Sequence, residues 1–244
     1  MNKIIAVAGA TGNLGGNIIS SLLDKGAIVH AIVRSSSDNT KIKDLEGLGV
    51  KVFKVNMADV QEVSKACIGA SCVVSALAGL RDVIIDTQKI LLDAAIAVGV
   101  PRFIPSDYSL DFIPFSNGEN RNLDYRREFH IYLDKSAVAS TSIFNGAGDQ
   151  ISPREIRTAV SEISGEKYRL IRAGGPGMLS TIIKISRKIS PAENDLYPTW
   201  QGMQYMRNMI DERSILKQID NLRYSDMRWT TIRDVLSSFL SSKG

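Results

Sequence analysis

Seven residues near the start, Gly9-Ala10-Thr11-Gly12-Asn13-Leu14-Gly15, constrain this chain more than any other stretch. They follow a continuous apolar run, Ile4–Ala8. After them come apolar residues at Ile18, Ile19, Leu22 and Leu23, and the pattern stops at Gly26. That spacing marks one face of a helix, so the chain reads strand, glycine turn, helix over residues 14–25. Glycines so placed let a backbone turn tightly, approach a pyrophosphate and pack helix against strand, with the anion at the helix N-terminus. Gly9, Thr11, Gly12, Asn13, Leu14 and Gly15 are therefore the expected cofactor-binding residues. A glycine-rich turn without a ligand is the plainer alternative, and the strand–helix–strand pattern around it weighs against that.

Short β-branched runs recur at 28–33, 50–55, 72–76, 102–105 and 140–145. Helical stretches lie between them at 41–48, 60–67 and 82–98, the last ended by Gly99. Fully apolar strands alternating with helices predict a parallel sheet covered on both faces. The expected fold class is thus α/β, a doubly wound NAD(P)-binding Rossmann fold over residues 1–146. Residues 147–244 are expected to form a smaller, mainly helical substrate-side region. There Ser152-Pro153-Arg154-Glu155 has the pattern of a capped helix start. A short strand is expected at 168–172, and helices at 178–189 and 231–240.

Composition narrows the function classes. The formal charge is +4 and the basic residues are scattered, which suits an anionic small ligand and disfavours nucleic acid. Cys67 and Cys72 have no histidine nearby to complete a metal site and read as reduced core residues. No uncharged apolar run approaches membrane-spanning length, and the cytoplasm is the expected location.

The end of the second strand decides between cofactors. NAD(H) usually meets an acidic side chain there, which accepts from the ribose hydroxyls. This chain has Val33-Arg34-Ser35-Ser36-Ser37 instead, and a guanidinium can pair bidentately with a 2′-phosphate. Arg34 and Ser35 therefore favour NADP(H) over NAD(H). Asp59 is expected to accept from the adenine amino group. Ala76 and Leu77, after the fourth strand, leave room for the nicotinamide half.

With these residues the chain resembles the NmrA-like group of atypical short-chain dehydrogenases, which includes isoflavone reductase and phenylcoumaran benzylic ether reductase relatives. The resemblance rests on GATGNLGG, on Arg34, and on VGVPRFIPSDYSLDF at 98–112. The later AGDQISPRE, WQGMQYM and RYSDMRWTTIRDVL stretches extend it. It implies that Ser106 and Tyr108 lie near the nicotinamide, and that Asn145 and Gly146 line the substrate side. Two departures stand out. Reductases of this group carry a lysine in the helix before the sixth strand, where this chain has Arg126 with Arg127 beside it. An arginine can stabilise an anion but does not readily shuttle a proton. Tyr125 is followed four residues later by Phe129, so the Tyr-x-x-x-Lys pair of ordinary short-chain dehydrogenases is absent. In addition, Phe144-Asn145-Gly146 runs directly into Ala147-Gly148-Asp149-Gln150, where family members carry several dozen further residues. A natural deletion and a stretch left out of this chain are both open.

The resemblance implies an NADPH-dependent oxidoreductase acting on a small organic substrate. Tyr108 and Arg126 are its candidate catalytic residues. Trp200, Met203, Tyr205 and Met206 are candidates for an apolar pocket wall, with plain core as the alternative reading. The alternative function is a non-catalytic NADP(H)-sensing regulatory protein that acts through a protein partner.

Overall fold

The computed structural model describes residues 3–145, 151–171, 174–216, 220–224 and 227–241. Its first compact unit runs up to Phe144 and includes Asn194–Leu196. The elements follow in strict alternation: β1 (Ile4–Ala8), α1 (Asn13–Asp24), β2 (Ile28–Arg34), α2 (Asn39–Gly47), β3 (Lys51–Val55), α3 (Val60–Cys67) and β4 (Ala70–Ser75). A π-helical segment (Asp82–Thr87) then runs into α4 (Gln88–Ala97), followed by β5 (Arg102–Ile104), α5 (Arg121–Leu133) and β6 (Ala139–Ser140). The strands form one parallel sheet in the order β3-β2-β1-β4-β5-β6. This is the doubly wound Rossmann-type arrangement that the alternating pattern predicts.

The central strands β1, β2 and β4 are largely buried on both faces, which is why they are mostly apolar. Ala6 and Ala8 of β1, Ile32 of β2 and Val73 of β4 point to one side, where they meet Val63, Leu91, Phe103 and Phe129. Val7, Ala31, Val33, Cys72 and Val74 point to the other, against Ile19, Ile42 and Leu45. Chain order reverses between β1 and β4, and in open α/β sheets the ligand crevice lies at the carboxyl ends of the strands at such a point.

Three expectations are corrected. The sixth strand, expected over 140–145, is only Ala139–Ser140. It pairs with β5 alone, and the pairing fades after Thr141 N donates to Phe103 O at 3.1 Å. Pro105 follows at once on the neighbouring strand and has no N–H to continue the ladder. The expected helix at 82–98 begins as a π turn, an insertion that apolar periodicity does not register. Residues 168–171 form no strand, since no neighbouring strand pairs with them; Arg172 lies outside the described residues.

The second compact unit covers Asn145–Glu193 and resumes at Tyr197. It contains α6 (Pro153–Ser164), α7 (Pro176–Ile189), α8 (Thr199–Met209) and α9 (Ile232–Ser241). Within it α7 packs on α8 and α6 on α9. The Ser152 hydroxyl accepts from Glu155 N while Glu155 accepts from Ser152 N, the capping box read from the sequence. Among the described residues no helix is long and apolar enough to cross a membrane.

Candidate functional site

The glycine turn joins β1 to α1 at the sheet's reversal point. Gly9 has φ +78°, and a Cβ there would lie 2.5 Å from the Ala76 carbonyl oxygen. A Cβ on Gly15 would lie 2.2 Å from the Gly9 carbonyl oxygen. The turn is thus pressed against the end of β4 on one side and against its own helix on the other, and glycine alone fits both places. Ala76 and Leu77 are the residues that Gly9 abuts. At the mouth of the turn Gly12, Asn13 and Leu14 are exposed. No side chain caps the N-terminus of α1, and no acidic residue stands in its first turn. By contrast α2, α3 and α5 are capped by Asp38, Asp59 and Asn120. The first N–H groups of α1 are therefore open to an anion. Lys41, from the first turn of α2, adds positive charge by donating to Thr11 O at 3.2 Å. Sequence reasoning missed it, because nothing local links a lysine of α2 to the β1–α1 turn.

At the carboxyl end of β2, the strand that neighbours β1, lies an open cleft of about 610 Å³. Arg34, Ser35 and Ser36 form one wall, Asn56, Met57 and Ala58 a second, and Asp86, Thr87 and Ile90 a third. A β-turn closed by Ser37 N on Arg34 O, at 2.9 Å, carries Arg34 and the serines out of the sheet into solvent. Asp59 follows β3 and is already engaged as a helix cap. Its Oδ1 accepts from Gln61 N at 2.8 Å and Glu62 N at 3.3 Å, so it caps α3 and is not among the residues lining the cleft. The carboxylate on the wall is Asp86, which comes from the π turn.

At the carboxyl end of β5, Ser106 is pinned from three directions. Its N–H donates to Gln88 Oε1 at 2.8 Å, its hydroxyl donates to Leu77 O, and its carbonyl accepts from Arg126 Nε at 2.9 Å. Arg126 also donates to Asn122 O at 2.8 Å. The arginine standing at the expected lysine position therefore ties α5 to the strand end. Tyr108 is half-buried on the same segment. Burial pushes its hydroxyl up to about 12, with Cys72 and Asp107 adding to the shift. Such a phenol stays protonated at neutral pH and can donate a hydrogen bond, but its pKa is poorly matched to proton transfer.

With this geometry established, residues 1–114 match the NmrA-like family. The match takes in the N-terminal part of the chain, which carries the glycine turn and Arg34. The chain is 29% identical over 251 residues to the probable pinoresinol-lariciresinol reductase 3 of Arabidopsis thaliana, taking in 91% of this chain and 81% of that protein. Among solved structures it is similar to AtPrR2 with NADP+ and (+)pinoresinol, with a TM-score of 0.78 at 16% identity, over 98% of this chain and 99% of that one. It is also similar to the leucoanthocyanidin reductase–NADPH complex of Vitis vinifera, with a TM-score of 0.75 at 14% identity, over 98% and 99%. At these identities the structural likeness speaks for the fold.

The residues expected on the substrate side are less well gathered. Asn145 is exposed and irregular, and Gly146 lies outside the described residues. Trp200 is fully buried inside the second unit; its Nε1 donates to Pro191 O at 2.6 Å and the Arg187 guanidinium stacks over its ring at 4.5 Å. This corrects the pocket-wall expectation for Trp200, which is core. Tyr205 and Met203 are half-buried on α8, and Met206 is exposed.

Proposed function

We propose that this chain is an NADP(H)-dependent oxidoreductase whose substrate is a small organic molecule, aromatic or carbonyl-containing. The observation that carries the reading is the uncapped N-terminus of α1 after β1, with a cleft walled by Arg34 and Ser35 at the end of the neighbouring strand β2. Support comes also from relatives and neighbours that are named reductases, two of them in complex with NADP+ or NADPH. The residues fit the cofactor: a glycine cradle that a Cβ would fill, open N–H groups for a pyrophosphate, and a guanidinium with hydroxyls for a 2′-phosphate. In this reading Gly9, Thr11, Gly12, Asn13, Leu14 and Gly15 hold the pyrophosphate, and Arg34 and Ser35 hold the phosphorylated ribose. Asn56 and Asp86 replace Asp59 as polar groups facing the adenine, and Ala76, Leu77 and Ser106 border the nicotinamide half. When bound, the cofactor supplies a hydride. Tyr108 then stands as a hydrogen-bond donor toward developing negative charge, with the proton coming from water. Arg126 keeps the strand end in place. A cytoplasmic location, resting on the free buried thiols of Cys67 and Cys72, belongs to the same proposal.

A non-catalytic NADP(H)-responsive protein is the second reading. It is favoured by one observation, the use of Arg126 to bind two backbone carbonyls in place of a proton-shuttling lysine. Steady NADPH oxidation with any small molecule rules it out.

The deciding test is a calorimetric titration with NADPH and, separately, NADH. Binding of NADPH at least tenfold tighter, about 1.4 kcal/mol, is expected. Absence of binding by either cofactor overturns both readings.

A further inference from the structure

One buried cluster has no part in the cofactor cleft. Asp107, next to Ser106, is fully buried. Its Oδ2 accepts from His130 Nε2 at 2.6 Å and from Ser142 Oγ at 2.8 Å, while its Oδ1 is buried without a hydrogen-bond partner. A carboxylate so enclosed is costly unless a cation faces it. His130 supplies that cation. The three residues come from the segment after β5, from α5 and from the segment after β6, so the cluster joins three elements at one point.

The surroundings keep His130 in place. Phe112 meets its ring edge-on with centroids 5.1 Å apart, and Phe129 does so at 6.4 Å. Phe112 in turn meets Phe144 edge-on at 5.4 Å. The charged groups facing the imidazole are Asp107 and, 3.7 Å from Nδ1, the more exposed Asp134 one turn further along α5. Tyr108 is the next residue in the chain, and the charge of Asp107 adds to the rise of its pKa. Burial alone would pull the imidazole pKa down, but the hydrogen bond and charge of Asp107, joined by Asp134, outweigh it and hold it above the ordinary 6.5.

We propose that His130 is a positioning residue for the strand-end shelf: as imidazolium it fixes Asp107, and through Asp107 it sets the placement of Tyr108 and of the segment leading to Asn145. This assigns a proton-controlled adjustment to the substrate side, and it rests on the function proposed above. Loss of the proton leaves a neutral donor opposite a buried carboxylate, and the three-element junction loosens.

The chain has two histidines, His30 and His130, and His30 is buried with Nδ1 2.8 Å from Ala66 O. An NMR titration of histidine- and tyrosine-labelled protein, without cofactor, therefore reads the cluster directly. His130 is expected to titrate above the ordinary histidine midpoint, and the Tyr108 ring signals to move with that same midpoint. Asp107→Asn should shift the His130 midpoint downward. Ser142→Ala, which removes a competing donor to the same oxygen, should shift it upward. His130→Gln should abolish the pH dependence of Tyr108. Tyr108 signals that stay flat through the His130 midpoint overturn the proposal, and so does a His130 midpoint unmoved by both Asp107→Asn and Ser142→Ala. If His130→Gln fails to fold, the wild-type comparison and Ser142→Ala still decide. The measurement uses no cofactor, so failure of the NADP(H) reading appears separately, in the calorimetric titration.

Discussion

Arg126 donates to the carbonyl of Ser106 at 2.9 Å, which makes it a tether between α5 and the end of β5. Gln88 and Leu77 take the other two polar groups of Ser106, so α4, α5 and the segment after β4 fix one residue. Replacing Arg126 by alanine strips the donor from a largely enclosed carbonyl and is expected to cost about 1–3 kcal/mol in urea unfolding. Arg126→Lys, which keeps one donor, should lose less. If the chain turns over a substrate, Arg126→Ala should lower turnover far more than NADPH affinity. An unchanged unfolding midpoint would show that the tether is idle.

Gly9 and Gly16 differ in what surrounds them, although both belong to the same glycine-rich stretch. At Gly9 a Cβ would strike the backbone of Ala76 at φ +78°, and neither the carbonyl nor the strand behind it can yield cheaply. Gly9→Ala should cost at least about 2 kcal/mol and abolish binding of both cofactors. At Gly16, inside α1, a Cβ would meet nothing within 4 Å. Gly16→Ala should therefore stabilise by about 0.5–1 kcal/mol through helix propensity. Thermal melts of the two variants check the contrast, and equal effects would mean that the turn is not packed as described.

What the sequence revealed follows from where each interaction is encoded. The apolar runs of β1, β2 and β4, the glycine turn and the capping box at Ser152 are local patterns, and each appears where the pattern points. Arg34 stands at the end of β2, where the strand pattern places it. Lys41, Gln88 and His130 were not legible, since each acts on a partner from another element: Thr11, Ser106 and Asp107. An acidic residue before a helix has two readings, and Asp59 is a helix cap in this fold. Trp200 misled for a similar reason, since an aromatic in a methionine-rich helix describes a core as well as a pocket.

Arg34 and Lys41 should separate in their effects on cofactor binding. Arg34 lies on the cleft wall at the end of β2, whereas Lys41 is bonded to the glycine turn at Thr11. Arg34→Ala should weaken NADPH at least tenfold, about 1.4 kcal/mol, and leave NADH unchanged. Lys41→Ala should weaken both, because a charge beside the turn acts on the pyrophosphate that they share. Parallel titrations with the two cofactors test this, and an equal loss of NADH on Arg34→Ala would remove Arg34 from the 2′-phosphate.

The His130–Asp107 pair also makes stability depend on pH. The folded-state pKa of His130 is raised above the ordinary value of 6.5. The stabilisation from protonated His130 is thus fully present below about pH 6.5 and is lost as the pH rises through the folded-state pKa. Wild type should exceed His130→Gln most clearly at about pH 6, and the difference should shrink toward pH 9. A difference that grows with pH would have the sign of a depressed carboxylate and would argue against a charged imidazole in the fold.

Trp200 tests whether α8 serves as core or as pocket wall. The side chain is fully buried, its Nε1 donates to Pro191 O at 2.6 Å, and Arg187 covers the ring. Truncation to alanine should cost about 3–5 kcal/mol through the cavity it leaves. Trp200→Phe keeps most of the volume and removes the donor, so its cost should be nearer 1 kcal/mol, the worth of one buried hydrogen bond. Neither change touches the glycine turn or Arg34, so NADPH affinity of the folded fraction should stay at the wild-type value. A pocket residue would behave in the opposite way: Trp200→Phe would leave unfolding unchanged and alter which small molecules the chain accepts. Urea unfolding and NADPH titration of Trp200→Phe together separate the two roles, because only a core tryptophan moves the first without moving the second.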